Sequence, residues 1–200
     1  MANKGLIVSI SGPSGVGKGT ILAEIRKRFP EAKQSISVTT RAPRGTEQDG
    51  VEYYFRTREE FEKLLADGEI LEYDEYVGNY YGTPLTPLIK ATEAGEDLLL
   101  DITIAGTLAL EEKYPLAVSI FILPPSFEQL AERLKGRGTE SDDLIKMRME
   151  KAKEEILCAN KFDYVVVNDN LDKAVDDIVA IMRAEKCRYG NNDGIEKNLK

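Results

Sequence analysis

The strongest chemical signal lies near the N-terminus. Gly12-Pro13-Ser14-Gly15-Val16-Gly17-Lys18 matches G-x-x-x-x-G-K, directly after the apolar run Leu6-Ile7-Val8-Ser9-Ile10. It stands directly before a stretch whose Ile21, Leu22, Ile25 and Phe29 share one helical face. In that setting the glycines let the backbone curl so that several N–H groups converge on an anion, and the helix N-terminus favours negative charge. Lys18 supplies a point charge able to follow a transferred phosphoryl group. Residues Gly12 to Thr20 therefore read as a cradle for nucleotide phosphates, with phosphoryl transfer as the chemistry. The usual pattern places Ser or Thr directly after the lysine, but here Gly19 stands there and Thr20 follows. Either Thr20 supplies the hydroxyl for Mg²⁺, or the metal is held mainly by phosphates and water.

Other residues have the types and spacing to meet phosphate. Ser35-Ile36-Ser37-Val38-Thr39-Thr40-Arg41-Ala42-Pro43-Arg44 sets two arginines behind a row of hydroxyls, and Gly78-Asn79-Tyr80-Tyr81-Gly82-Thr83-Pro84 is a glycine-bracketed tyrosine turn. A guanidinium pair grips phosphate through charge-assisted hydrogen bonds, and tyrosine hydroxyls add more without adding charge. Further along, Arg133 and Arg137 share a helical face if the helix persists. Arg137 sits between Gly136 and Gly138, where backbone freedom suits a moving segment. Asn168 follows the apolar run Tyr164 to Val167, at the strand end where ligands of parallel sheets gather, and is expected to contact adenine.

Composition narrows the alternatives. The chain has 200 residues, two cysteines (Cys158 and Cys187) and no histidine, which removes Cys/His metal sites, Ser-His-Asp triads and histidine acid–base chemistry. A formal net charge of −8 argues against a nucleic-acid or membrane-surface protein, so the arginine clusters are local exceptions in an acidic chain. No apolar run approaches the roughly 20 residues of a membrane span, and no signal-peptide core opens the sequence. A cytoplasmic protein is expected, with Cys158 an unpaired buried thiol.

The elements that must position these residues follow from the same periodicities. Leu6 to Ile10, Leu98 to Leu100, Val118 to Ile122 and Tyr164 to Val167 are near-continuously apolar, as strands covered on both faces should be. Helical stretches separate them, so the fold class is α/β with a parallel sheet and helices on both faces. Thr57 with Glu60, and Ser126 with Gln129, have capping-box spacing, and Ser141 caps a helix opening with Asp142 and Asp143. A last amphipathic helix spans about Leu171 to Ala184, with Ala174, Val175, Ile178 and Met182 inward. Residues 35–83 break the alternation as a small mixed insertion, with strand-like pieces at Val51–Phe55 and Ile70–Tyr81 around one short helix. Residues 136–141 form a second break, and 186–200 read as a frayed polar tail.

With these segments in this order, including Gly136-Arg137-Gly138-Thr139-Glu140 and Val167-Asn168-Asp169, the chain resembles the guanylate kinases from the first strand to about residue 185. The resemblance implies ATP + GMP giving ADP + GDP, with Mg²⁺. It also implies a three-layer phosphate-loop kinase core (1–34, 84–135 and 160–185), a GMP-binding region (35–83) and a helical lid (about 136–159). By motif, Arg41, Arg44, Tyr53 and Tyr81 hold the GMP phosphate, and Ser37, Glu72 and Thr83 contact guanine. Lys18, Arg133, Arg137 and Arg148 meet the transferring phosphates, while the loop and Asn168 hold ATP. Guanine offers N1–H and a 2-amino group side by side, and a carboxylate such as Glu72 accepts from both; adenine would leave it unpaired.

One departure concerns Asp101-Ile102-Thr103-Ile104-Ala105-Gly106, where the family usually has a second carboxylate two residues after the first. Asp101 keeps the first acid and Thr103 replaces the second. This predicts weak GMP binding, unless Thr103 is simply the N-cap of a helix over Ile104–Leu110. Two other readings compete. A kinase for AMP, UMP or CMP is compatible with Lys18-Gly19-Thr20, which adenylate kinases share, but not with Glu72 and the Ser-x-Thr-Thr-Arg segment. A non-catalytic scaffold domain of this fold is at odds with the intact Lys18. The expected partners are the small molecules ATP and GMP, without nucleic acid or membrane; the sequence is silent on oligomeric state.

Overall fold

The computed structural model describes residues 5–76, 78–135 and 142–198. Along the chain, β1 (Ile7–Ser11) leads through the glycine loop into α1 (Lys18–Arg28), followed by β2 (Lys33–Gln34). The insertion comprises β3 (Val38–Thr39), β4 (Tyr54–Phe55), α2 (Arg58–Ala66), β5 (Ile70–Tyr76) and β6 (Asn79–Pro84). Next come α3 (Leu85–Glu93), β7 (Leu98–Asp101), α4 (Ile104–Lys113), β8 (Val118–Leu123) and α5 (Phe127–Lys135). The last elements are α6 (Asp142–Ile156), β9 (Tyr164–Val167) and α7 (Leu171–Cys187).

Five strands form a wholly parallel sheet in the order β2-β7-β1-β8-β9. Alternation divides its side chains between two cores. Val8, Ile10 and Leu99 pack with Ile21, Leu22 and Ile25 of α1 and with Val175 and Ile178 of α7. On the other face, Ile7, Leu98 and Leu100 pack with Leu88 of α3 and Leu110 of α4. Each fully buried aliphatic side chain contributes about 1.5–3 kcal/mol, which explains why the central strands read as near-continuous apolar runs.

The outermost strand departs from that reading. Among the described residues β9 pairs only with β8, and its Val165 and Val167 are 47% and 48% exposed, so double coverage fails at this edge. Cys158 also differs from expectation: it is free, as read, but half-buried in a short 3₁₀ turn rather than buried.

The insertion builds its own mixed sheet, ordered β4-β3-β6-β5, over a small core of Val38, Phe61 and Ile70. The expected capping box is present, with Thr57 accepting from the Glu60 N–H and Glu60 from the Thr57 N–H, which fixes where α2 starts. At the second expected box, Ser126 accepts from the Gln129 N–H at 3.2 Å. The proposed Ser141 cap lies outside the described residues.

The polar tail has more order than its composition suggests. α7 continues to Cys187, and two 3₁₀ turns, Tyr189–Asn191 and Ile195–Asn198, follow it. Asn191 donates to the Glu185 carbonyl at 2.8 Å, and Asn192 to the Lys186 and Arg188 carbonyls at 2.6 and 3.0 Å. These side chains satisfy acceptors that a helix C-terminus leaves open.

Candidate active site

The phosphate loop leaves the carboxyl end of β1 and closes where α1 begins. Gly17, immediately before the helix, has φ 100°, a left-handed conformation that glycine adopts without strain. A Cβ there would also stand 2.6 Å from the Asn168 amide nitrogen, so the position admits glycine for two reasons. Lys18 folds back over the loop, its Nζ donating to the Gly12 carbonyl at 2.9 Å and lying 4.0 Å from Asp101 Oδ1. The Val16 carbonyl accepts from Asn168 Nδ2 at 2.8 Å and from Arg133 Nη1 at 3.3 Å. Arg133 Nη2 donates to the Asn168 carbonyl at 2.9 Å. Asn168, placed beside adenine by its position in the sequence, is thus buried with its amide committed to the loop backbone, and Arg133 is a strut from α5 to the same loop. Gly19 and Thr20 are exposed on the first turn of α1, and a Cβ on Gly19 would meet nothing within 4 Å.

A second group of residues gathers on the insertion. Arg41 is only 9% exposed and sits over the rings of Tyr53 and Phe55, at 5.4 and 5.7 Å from their centroids. Tyr53 and Tyr81 meet edge to face with centroids 6.0 Å apart. Burial pushes the Tyr53 hydroxyl up, with Tyr81 adding to the shift and Arg41 opposing it. Arg44 is exposed, and Ser37 is half-buried just before β3. Tyr53 and Tyr81 thus gather around Arg41.

Glu72 is aimed by a bulge. Between the pairs Ile70↔Pro84 and Tyr73↔Gly82, the β5 register shifts so that Leu71 and Glu72 oppose Thr83 alone. Leu71 stays in the core, while Glu72 Oε1 accepts from the Thr83 hydroxyl at 2.7 Å and Oε2 from the Thr103 hydroxyl at 3.4 Å. Burial raises the Glu72 carboxyl above the ordinary glutamate range, and the Thr83 and Thr103 hydroxyls offset part of that rise. Thr103 is also the N-cap of α4, accepting from the Gly106 N–H at 3.0 Å. The same Thr103 hydroxyl therefore caps the helix and touches the Glu72 carboxylate.

Asp101, at the end of β7, joins the two groups. Its side chain is 36% open to solvent, yet the protein crowded around the carboxyl raises it, with Lys18 opposing. On α6, Arg148 is half-buried. Arg137 and the glycines around it lie outside the described residues.

Three participants escaped the sequence reading. Gly106 backs Glu72 so closely that a Cβ there would stand 2.6 Å from Glu72 Cγ and 2.7 Å from Cδ. A glycine inside a helix costs about 1 kcal/mol relative to alanine, and that cost was the available signal of a close approach. Glu47 binds Arg41, and only its position three residues after Arg44 hinted at that. Glu155 of α6 lies close to the Ser14 backbone of the loop; burial raises its carboxyl, with Lys151 and then Lys18 opposing. Nothing local marked it.

A parallel-sheet core with a phosphate loop, and an insertion carrying an arginine–tyrosine cluster beside a buried carboxylate, define a nucleoside monophosphate kinase. The chain matches the guanylate kinase family model over residues 4–185, and it belongs to that family. It is 46% identical over 186 residues to a guanylate kinase of Desulfitobacterium hafniense (strain Y51), covering 93% of each chain. The crystal structure of guanylate kinase from Anaplasma phagocytophilum superposes with TM-score 0.75 at 36% identity, over 93% of this chain and 88% of that one. The SH3-kinase fragment of tight junction protein 3 has TM-score 0.51 at 12% identity, over 94% of this chain and 60% of that one, which is a likeness of fold alone.

Proposed function

We propose that this chain transfers the γ-phosphoryl group of ATP to GMP, giving ADP and GDP. The observation that carries the reading is the Glu72 carboxylate, turned by the β5 bulge against Thr83 and Thr103. Two carboxylate oxygens accept from guanine N1–H and the 2-amino group, whereas adenine, with an acceptor at N1 and no 2-amino group, offers neither donor to a buried carboxylate. Arg41 and Arg44, with Tyr53 and Tyr81, hold the GMP phosphate, and Ser37 and Thr83 complete the guanine pocket. ATP lies with its phosphates in the loop Gly12–Thr20. Lys18 follows the transferring group, and Arg133, Arg137 and Arg148 stabilise the charge spread over its oxygens. Alignment and electrostatics supply most of this catalysis, since phosphoryl transfer asks little covalent chemistry of the protein.

The residues present suit a Mg²⁺ that arrives with the nucleotide. Thr20 and Asp101 offer oxygen donors beside the loop, and among the described residues no group of three acidic, cysteine or histidine side chains forms a dedicated cage. When bound, the metal would be held by the nucleotide with Thr20 and Asp101 beside it, and would neutralise charge on the phosphates. No described helix is long and apolar enough to cross a membrane, and we place the enzyme in the cytoplasm with ATP and GMP as its partners. A panel of nucleoside monophosphates in a coupled ADP-release assay tests the reading. Turnover is expected with GMP and, more weakly, IMP; comparable rates with AMP, UMP or CMP, or none with GMP, overturn it.

A further inference from the structure

We infer that Glu47 is a positioning residue for the acceptor phosphate: its carboxylate holds the end of the Arg41 guanidinium and leaves one edge of it to the phosphate of GMP. This rests on the reading of Arg41 as a phosphate ligand. Arg41 Nη1 donates to Glu47 Oε2 at 2.9 Å and to the Ala42 carbonyl at 2.7 Å, and Nη2 donates to Glu47 Oε1 at 3.0 Å. A guanidinium has five N–H donors in a fixed plane. The bonds to Glu47 and Ala42 leave the Nε–H and the second Nη2–H side by side on one edge, where the Tyr81 hydroxyl also approaches the guanidinium. Two parallel donors at that spacing match two oxygens of a phosphate. The Tyr81 hydroxyl lies against the same guanidinium, and the Tyr53 ring beneath it, so this edge belongs to the pocket already described.

Two physical needs are met by this arrangement. A nearly buried guanidinium without a counter-charge is unfavourable, and Glu47 supplies that charge before any substrate arrives. Arg41, followed by the Arg44 N–H, holds the Glu47 carboxyl below the ordinary glutamate range, so it remains ionised at neutral pH. The carboxylate is also part of the loop's framework. Glu47 Oε2 accepts from the Arg44 N–H at 2.7 Å, and the Glu47 N–H donates to the Arg44 carbonyl at 3.0 Å. One carboxylate thereby fixes the guanidinium of Arg41 and the backbone of Arg44 together. A temporary stand-in for phosphate would have to leave on binding, whereas a side chain tied to the main chain of its own turn is built to stay.

The test compares GMP with guanosine, which lacks the phosphate, by titration calorimetry on Glu47→Gln. The amide keeps the shape but has one acceptor oxygen and no charge. GMP affinity is expected to fall about tenfold, the equivalent of losing one charge-assisted bond, with guanosine affinity unchanged. Equal losses for both ligands would reduce Glu47 to a scaffold of the loop, and unchanged or tighter GMP binding would make it a competitor; either overturns the inference. Should Glu47→Gln fail to fold, Glu47→Asp carries the same comparison: a smaller loss confined to GMP supports it and an equal loss for both ligands overturns it. Arg41→Lys separates the two levels. If it keeps GMP's advantage over guanosine, the phosphate reading of Arg41 falls; if it erases that advantage while Glu47→Gln does not, only the role of Glu47 falls.

Discussion

Burial works against the ionised form of Glu72, and the proposed guanine recognition requires that form. A carboxyl raised in the fold adds stability that is complete below the ordinary glutamate range and is lost as pH rises through the raised value. Glu72→Gln removes that loss. At neutral pH the empty variant should melt no lower than the wild type, with any advantage shrinking as pH falls toward the ordinary range. Its turnover of GMP should drop about tenfold or more, because an amide cannot accept from both guanine donors, and IMP, without the 2-amino group, should lose less. Equal losses with the two acceptors, read in the coupled assay, would detach Glu72 from that edge. Gly106→Ala approaches the same carboxylate from the other side. Its Cβ would fall 2.6 Å from Glu72 Cγ, so Glu72 must shift. The GMP KM should rise about tenfold while the ATP KM holds; a change in the ATP KM alone would place the damage elsewhere. Glu72 was singled out in the sequence through the family resemblance. Gly106 was not, since its partner sits on another element, and the same holds for the Asn168 amide, whose acceptor at Val16 no strand-end rule could specify.

Elements were legible where one period governs them, and less so where pairing is non-local. β1, the loop and α1 follow each other directly, and the α2 box rests on a spacing of three residues. The exposure of β9 depends on its place at the end of the strand order, which periodicity does not encode. The bulge that turns Glu72 depends on the β5–β6 register and was equally hidden. Thr103 shows how an element end and a site share one side chain. Its hydroxyl caps α4 and reaches Glu72 at 3.4 Å. Aspartate is as good an N-cap as threonine or better, so Thr103→Asp should fold with α4 intact. It would add a second acceptor of full charge beside the guanine edge, and the GMP KM should fall on the order of tenfold with the ATP KM unchanged. An unchanged or higher GMP KM would leave Thr103 with its cap alone.

At the scale of the molecule, the insertion and the parallel sheet each have their own core, and the chain's far end supports the second of these. The family match stops at residue 185, so the tail reads as dispensable, yet it neutralises two buried carboxylates. Asp97, at the foot of β7, accepts from the Leu6 N–H at 3.1 Å and pairs with Lys186. Glu185 accepts from the Tyr164 hydroxyl at 2.6 Å and from Arg188 Nη1 at 3.3 Å. Deleting residues 186–200 strips both cations and leaves the Glu185 carbonyl without the Asn191 amide. Losing a partner to a buried carboxylate is costly, but the side chains of Lys186 and Arg188 are 48% and 60% exposed, so water screens much of the attraction. A total of about 1–3 kcal/mol is expected, which for a domain of this size lowers Tm by roughly 5 °C. Because Asp97 lies at the starts of β1 and β7, opposite the ends that carry the loop and Asp101, the KM values for GMP and ATP should not move. A thermal melt of the shortened chain beside its steady-state kinetics decides the matter: an unchanged Tm would make the tail idle, and a shifted KM would show that the strand starts communicate with the site.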